Sequence, residues 1–376
     1  VPGSISSLAL DQHTFSCSDV GVNTITLIGI DNNGNSNTCT ASVTVEDNIA
    51  PQALCQDIAI QLNADGVASL VPAQIDAGSN DACGIATQGL NITTFYCEDV
   101  GANTVALTVV DVNGSNASSC TAVVTVEDNV PPQALCQDVT VQLDADGSGS
   151  LTPAQVDNGS EDACGLSGLY LDVTTFDCSD TGLNEVTLTA TDVNGNSSTC
   201  TAIVTIEDNE APIALCQNVT VQLDADGQTL LSPAQVNAGS TDACGIAIQG
   251  LNITAFDCGD VGASQVVLTL TDVNGNSSSC NATVMVEDNI APVASCADIT
   301  AQLDENGEVI LSPAQIDNGS SDACPYGPVP GGVESLLLDI DAFGCNDLGP
   351  NTVILTVSDA NGNSSSCTSQ VTVEDN

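Results

Sequence analysis

Apolar and polar positions alternate along this chain in short runs, and the runs come back. Between residues 136 and 209, DVTVQL (138–143) sets Val139, Val141 and Leu143 on one face, which predicts a half-buried strand. DADG (144–147) predicts a turn. A second short strand is expected over Gly149–Thr152, followed by Pro153 and the loop DNGSEDACG, which is rich in turn formers. Further strands are expected over Leu169–Phe176, NEVTLTATD (184–192) and CTAIVTIED (200–208), the last two joined through Val193-Asn194-Gly195-Asn196. No window carries a helical stripe. The class is therefore all-β, an immunoglobulin-like sandwich of about seven short strands.

The pattern is periodic. The Glu of a recurring VEDN or IEDN element falls at 46, 127, 207, 287 and 374, spacings of 81, 80, 80 and 87 residues, with an insertion near 325–332 lengthening the last. About eighty residues suits a small sandwich rather than a solenoid turn. The expected domains are the C-terminal part of a truncated repeat at 1–48, then repeats at 49–129, 130–209, 210–289 and 290–376. The start at Val1, in mid-repeat, reads as a piece of something longer. Each VEDN ends a strand, the Pro after it stops the ladder, and a Cys pins the next first strand, as in VEDNIAPQALC (45–55). Junctions this short restrict bending, so the tandem array is expected to be an extended rod of order 150 Å, at ~3.3 Å per strand residue. The five Phe fall one per unit at 15, 95, 176, 256 and 343, each two residues before a Cys, and read as core anchors.

Eighteen cysteines with one His and no C-x-x-C pair do not resemble zinc ligation. They read as disulfides, which place the chain outside a reducing cytosol. Each full unit has four, such as Cys136, Cys164, Cys178 and Cys200. The first opens the first strand and the fourth opens the last, and in an immunoglobulin-like sandwich those strands run parallel side by side. The favoured pairing is Cys55 with Cys120, Cys136 with Cys200, Cys216 with Cys280 and Cys296 with Cys367. That leaves Cys83 with Cys97, Cys164 with Cys178, Cys244 with Cys258 and Cys324 with Cys345. Under it, Cys17 and Cys39 of the partial unit would have partners upstream of Val1. The rival scheme joins first to second and third to fourth. At ~2–4 kcal/mol each, two cystines would supply a large share of the stability of so small a unit.

Charge narrows the function classes. There is no Lys or Arg against 49 Asp plus Glu, a formal charge of -49. Nucleic acid is excluded as a partner, because phosphate binding rests on Lys and Arg, and anionic membrane surfaces repel the chain. An apolar content of 42% argues against disorder. No apolar run approaches the ~18 residues of a membrane span, and no charged-then-apolar signal segment opens the chain. His13, in the partial unit, cannot serve the other units as a general base, so no catalytic residues are assigned and the chain is not expected to be an enzyme.

Cations are the natural partners of such a surface, and Ca2+ prefers clustered oxygen donors. The junction candidates are Glu46, Asp47 and Asn48; Glu127, Asp128 and Asn129; Glu207, Asp208 and Asn209; and Glu287, Asp288 and Asn289. Asp144 with Asp146, Asp224 with Asp226, and Asp192-x-Asn194-Gly195-Asn196 are oxygen-rich turns, although Asp, Asn and Gly also make turns without any ion. Asn91-Ile92-Thr93, Asn218-Val219-Thr220 and Asn252-Ile253-Thr254 are N-glycosylation sequons, a pattern expected by coincidence in a chain this rich in Asn, Ser and Thr.

The pattern P-x-x-x-C, then Asp-x-Asn-Gly-Asn, then C-T-A-x-V-T-V, resembles the hyalin repeat (HYR) domain. The fuller form, with LDADG, LTPAQVDNGSEDACG and TTFDCSDTGLNEVTLTATDVNGNSSTC, is similar to the tandem repeats of giant Bacteroidota surface adhesins, including SprB-like gliding adhesins. The likeness covers the whole chain. Hyalin repeats usually carry only the first and fourth Cys, which supports the favoured pairing. The resemblance implies an extracellular, cell-surface stalk or filament segment. Its partners would be neighbouring repeats of the same chain, with self-association into filaments as a further possibility. The alternatives are repeats that themselves bind glycan or protein, or lateral assembly into a multi-chain fibre through edge strands. Aromatic platforms suited to sugars are scarce, with only Tyr96, Tyr170 and Tyr326 beside the five Phe.

Overall fold

A computed structural model describes residues 4–114, 116–325 and 327–375. Two compact units divide the chain, Val1–Val139 with Leu151–Thr174 and Leu183–Thr205, and Thr140–Ser150 with Thr175–Gly182 and Ile206–Asn376. The repeat at 49–129 falls in the first, those at 210–289 and 290–376 in the second, and 130–209 contributes to both.

In the first unit, the repeat at 49–129 shows how the pattern becomes a sandwich. Along Gly101–Asp111, Val105, Leu107 and Val109 are fully buried while the residues between them are not, the period-2 signature of a sheet with one covered face. Ala117–Glu127 pairs antiparallel with it, setting Leu107 opposite Cys120 and Val105 opposite Ala122. Ile58–Gln61 runs parallel to that last strand, with Ile60 opposite Val126, and Ile85–Leu90 closes the far edge of a four-stranded sheet. A two-stranded ribbon, Val67–Ser69 with Thr94–Tyr96, puts Ala68 opposite Phe95, both buried in the same core. Among the described residues this repeat therefore has six strands, four and two, where about seven were expected.

Between the ribbon strands lies a single helical turn, Pro72–Ile75, which the alternation had placed in loop. Proline suits the first helical position, the Gln74 side chain accepts the Val71 N–H at 2.8 Å, and Ile75 is driven fully into the core. The same turn recurs at Pro153–Val156, Pro233–Val236 and Pro313–Ile316. The expected strand Leu169–Phe176 is likewise two, Leu166–Leu171 and Thr175–Asp177.

In the second unit, the repeats at 210–289 and 290–376 have the same four-plus-two sheets. Phe256 and Phe343 occupy the core position of Phe95. The insertion folds locally, with Val329 bridged to Val333 and Val333 buried. The stretch 1–48 forms a three-stranded antiparallel sheet, Ile5–Leu10, Gly21–Asp31 and Ser36–Val45, whose Ile5 and Leu8 are exposed.

Candidate functional site at the repeat junctions

The cysteines form two kinds of bond. Cys55–Cys120, Cys136–Cys200, Cys216–Cys280 and Cys296–Cys367 lie within a repeat. Cys17–Cys83, Cys97–Cys164, Cys178–Cys244 and Cys258–Cys324 each join one repeat to the next. This corrects the expected pairs Cys83 with Cys97, Cys164 with Cys178, Cys244 with Cys258 and Cys324 with Cys345. It also corrects the expectation for Cys17, whose partner lies downstream. Cys39 and Cys345 are free and exposed.

The physical reason is where the loops end up. Cys258 opens a 3-10 turn, Cys258–Asp260, packed against Gly227 of the DADG turn, and Ala323 of the next repeat arrives at the same spot. A Cβ on Gly227 would sit 2.6 Å from the Cys258 sulfur and 3.4 Å from the Ala323 carbonyl oxygen. Its φ of +71° also lies in the left-handed region that favours glycine. Cys244 of the same repeat is bonded instead to Cys178 of the preceding one, beside Gly147. The inter-repeat sulfur also completes a core: Cys324 is 5% exposed and packs within the apolar cluster of the repeat at 210–289, as Cys164 packs against that of 49–129.

The bonds overlap along the chain. The loops 17–83, 55–120, 97–164, 136–200, 178–244, 216–280, 258–324 and 296–367 each begin before the previous one closes. Every peptide bond from Cys17 to Cys367 therefore lies inside at least one disulfide loop.

The VEDN residues divide between two surroundings. The Glu207 carboxylate accepts from the Gln142 side-chain amide at 2.7 Å, and the Asn209 amide donates to the Gln142 carbonyl oxygen at 2.6 Å. Glu127 and Asn129 use Gln61 in the same way, and Glu287 and Asn289 use Gln222. Glu46 pairs with Asn48. Apart from Glu46 and Asn48, these Glu and Asn are taken up in cross-strand amide pairs.

The Asp of each element meets two loops of the next repeat. Carboxylate oxygens of Asp208, of Asp242 from the DAC loop and of Asp272 from the last hairpin all lie within 4.8 Å of one another. Asp47 likewise meets Asp81, Asp128 meets Asp162, and Asp288 meets Asp322. The hairpin also grips the linker. Asn196 donates to the Asp128 carbonyl at 3.0 Å and to the Asp192 carboxylate at 2.8 Å, and Asn276 to the Asp208 carbonyl and the Asp272 carboxylate, each at 2.9 Å. Asn194 donates to the Asp128 carboxylate at 2.6 Å. Their equivalents in the repeat at 130–209, in the DNGSEDACG loop and at Asp192, were read from sequence as turn formers, which Asp242 and Asp272 also are, since both accept backbone N–H bonds.

Burial pushes the Asp322 carboxyl up, and the facing charges of Asp288 and Asp359 push it the same way, against one N–H bond from Cys324. Asp144 and Asp224 spend an oxygen each on their own turns, accepting N–H from Asp146 and Ser148 and from Asp226 and Gln228. Asp144 and Asp146 nevertheless line one cleft with Asp208, Glu210 and Asp242.

The sequon asparagines are engaged in backbone pairing. Asn91, Asn218 and Asn252 accept the N–H of Ala106, Thr283 and Val267 at 2.7, 2.8 and 2.7 Å. Tyr96 and Tyr170 are exposed on separate strands, and Tyr326 lies outside the described residues. Among the described residues no helix is long and apolar enough to cross a membrane.

No protein-family model matches the chain, and no curated protein matches it. Among solved structures, it is similar to the protocadherin GammaB4 extracellular domain at 15% identity and a TM-score of 0.27, over 94% of this chain and 71% of that one. Drosophila N-cadherin EC1-4 is 12% identical with a TM-score of 0.28, over 86% and 100%. Sidekick-1 immunoglobulin domains 1–5 are 10% identical with a TM-score of 0.28, over 96% and 88%. At such scores the likeness is too loose to carry an argument about this chain.

Proposed function

We propose that the chain is a structural segment of an extracellular cell-surface adhesin, an acidic spacer that carries a binding element and catalyses nothing. The observation that carries this reading is the unbroken overlap of disulfide loops from Cys17 to Cys367. A chain tied in this way stays covalently continuous after any single backbone cut in that span, which suits a tether exposed to proteases and load. The absence of Lys and Arg, which leaves trypsin no site, supports the same reading. So does the resemblance of the repeats to hyalin repeats and to giant Bacteroidota adhesins, of which a gliding adhesin is the most specific form.

Single-molecule pulling from the two ends tests it. In the oxidised chain each cystine withholds its loop, so extension should stop far short of the ~3.3–3.6 Å per residue that a free chain reaches. Under reductant the full length should appear. Full unravelling without reductant would overturn the covalent spacer, and specific binding of the whole chain on a glycan array would replace it with a ligand-binding module.

A further inference from the structure

We propose that the junction formed by Asp208, Asp242 and Asp272 is a divalent-cation site, that its ion is Ca2+, and that the corresponding aspartates make equivalent sites at the other junctions. Asp208 and Asp272 are 7% and 2% exposed, and the Asp208 Oδ2 has no hydrogen-bond partner although it is buried. At another junction Asp322 Oδ2 is likewise without a hydrogen-bond partner. A buried, unpartnered carboxylate oxygen facing two further carboxylates is costly unless a cation joins it. This chain has no Lys or Arg to serve.

The donor set favours the ion: three carboxylates, and hard oxygen ligands are what Ca2+ takes. Two oxygens on one Ca2+, each at about 2.3–2.6 Å, stand at most about 4.6–5.2 Å apart, so the 4.8 Å limit on this cluster already fits a shared coordination sphere. Mg2+ demands near-ideal octahedral geometry at about 2.0–2.1 Å and keeps several of its waters, so a dedicated cluster of three carboxylates suits it less well than Ca2+. Asp272 spends Oδ1 on three backbone N–H groups of its hairpin and Asp242 spends Oδ1 on two. The donors are therefore held by folded turns on separate loops. At the other junctions the amide of Asn113, Asn194 or Asn361 donates to the oxygen that Asp208 leaves bare. Turned over, each would present its Oδ1 to an ion. The site differs from the VEDN cluster expected from sequence: it keeps Asp208, leaves Glu207 and Asn209 to Gln142, and adds Asp242 and Asp272.

Isothermal titration of the oxidised full chain with CaCl2, in salt near 0.15 M to screen diffuse counter-ion uptake, tests the proposal. Saturable binding of one Ca2+ per junction is expected, with a rise in melting temperature that an equal concentration of Mg2+ does not match. Asp242→Asn, at a half-exposed position where the isosteric amide keeps the turn, should remove one site with the circular dichroism spectrum unchanged. Asp208→Asn gives an independent reading should Asp242→Asn fold poorly, and Glu207→Gln should leave the stoichiometry intact. Uptake that never saturates, stoichiometry unchanged in both aspartate variants, or loss in Glu207→Gln alone would overturn it. None of these outcomes bears on the disulfide tether, which is tested separately by reduction.

Discussion

The two sets of cystines close loops of nearly the same length, 64 to 71 residues within repeats and 66 or 67 between them, yet they sit in different mechanical positions. Chain entropy alone assigns each about 4 kcal/mol. Cys216–Cys280 ties the segment leading into Val219–Gln222 to the neighbouring strand of the same sheet, Ser277–Glu287, so it opposes the unfolding of one repeat. Cys258–Cys324 joins a turn of one repeat to a loop of the next and seals the first repeat's core with the second repeat's sulfur. Equal loops teach that loop length does not decide what a cystine does. The first kind fixes how stable a repeat is, and the second fixes whether neighbours unfold together.

That contrast can be broken in order of expected effect. Replacing Cys216 and Cys280 together by Ser should destabilise their repeat by about 2–5 kcal/mol in urea titrations of the full chain. A shift near zero would remove the within-repeat role. Replacing Cys258 and Cys324 together should act more on cooperativity than on midpoint. One steep transition should resolve into separate, shallower ones of smaller m-value, and an unchanged m-value would show that neighbours were never coupled.

Gly227→Ala adds a Cβ at a φ of +71° and within 2.6 Å of the Cys258 sulfur. A loss of about 1–3 kcal/mol is expected, together with a free-thiol signal from Cys258 that the wild type lacks. Unaltered stability and no free thiol would mean that the close approach is absent in solution. Asn276→Ala removes the grip on the Asp208 carbonyl and should cost about 1 kcal/mol. Hydrogen exchange should rise at 208–212 and leave the sheet interior protected; exchange unchanged there would count against the clamp.

Acid should have the smallest effect near neutrality. Hydrogen bonds from Ser79 hold the Asp76 carboxyl below its usual value, and the Glu308 N–H, with Asn306, does the same for Asp304. A depressed folded-state pKa contributes stability that is present above the ordinary carboxylate range, near 4, and is lost as pH falls through it. Asp76→Asn should flatten that acid limb, and an unchanged limb would remove Asp76 from it.

Strands were legible because Val105, Leu107 and Val109 declare a buried face by spacing alone. The turn at Pro153–Val156 was not, since four residues are too few for a helical period. Its signal was nonetheless present as Thr152-Pro-Ala-Gln155, a capping pattern in which Gln155 accepts the Thr152 N–H. The inter-repeat cystines and the Asp208, Asp242 and Asp272 cluster were hidden for another reason. Their members come from consecutive repeats, and a repeated motif does not say whether its loop meets its own neighbour or the next copy. Even Gly147 gave no pointer, since its φ of +74° accounts for a glycine in the DADG turn and masks the approach of the Cys178 sulfur to within 2.7 Å of where a Cβ would sit.

Disulfide mapping by mass spectrometry, after digestion of the unreduced chain at Asp and Glu, tests the central claim most directly. The expected result is cross-linked peptides joining Cys97 to Cys164 and Cys258 to Cys324. Recovery of Cys83 linked to Cys97, or of Cys244 linked to Cys258, would contradict it.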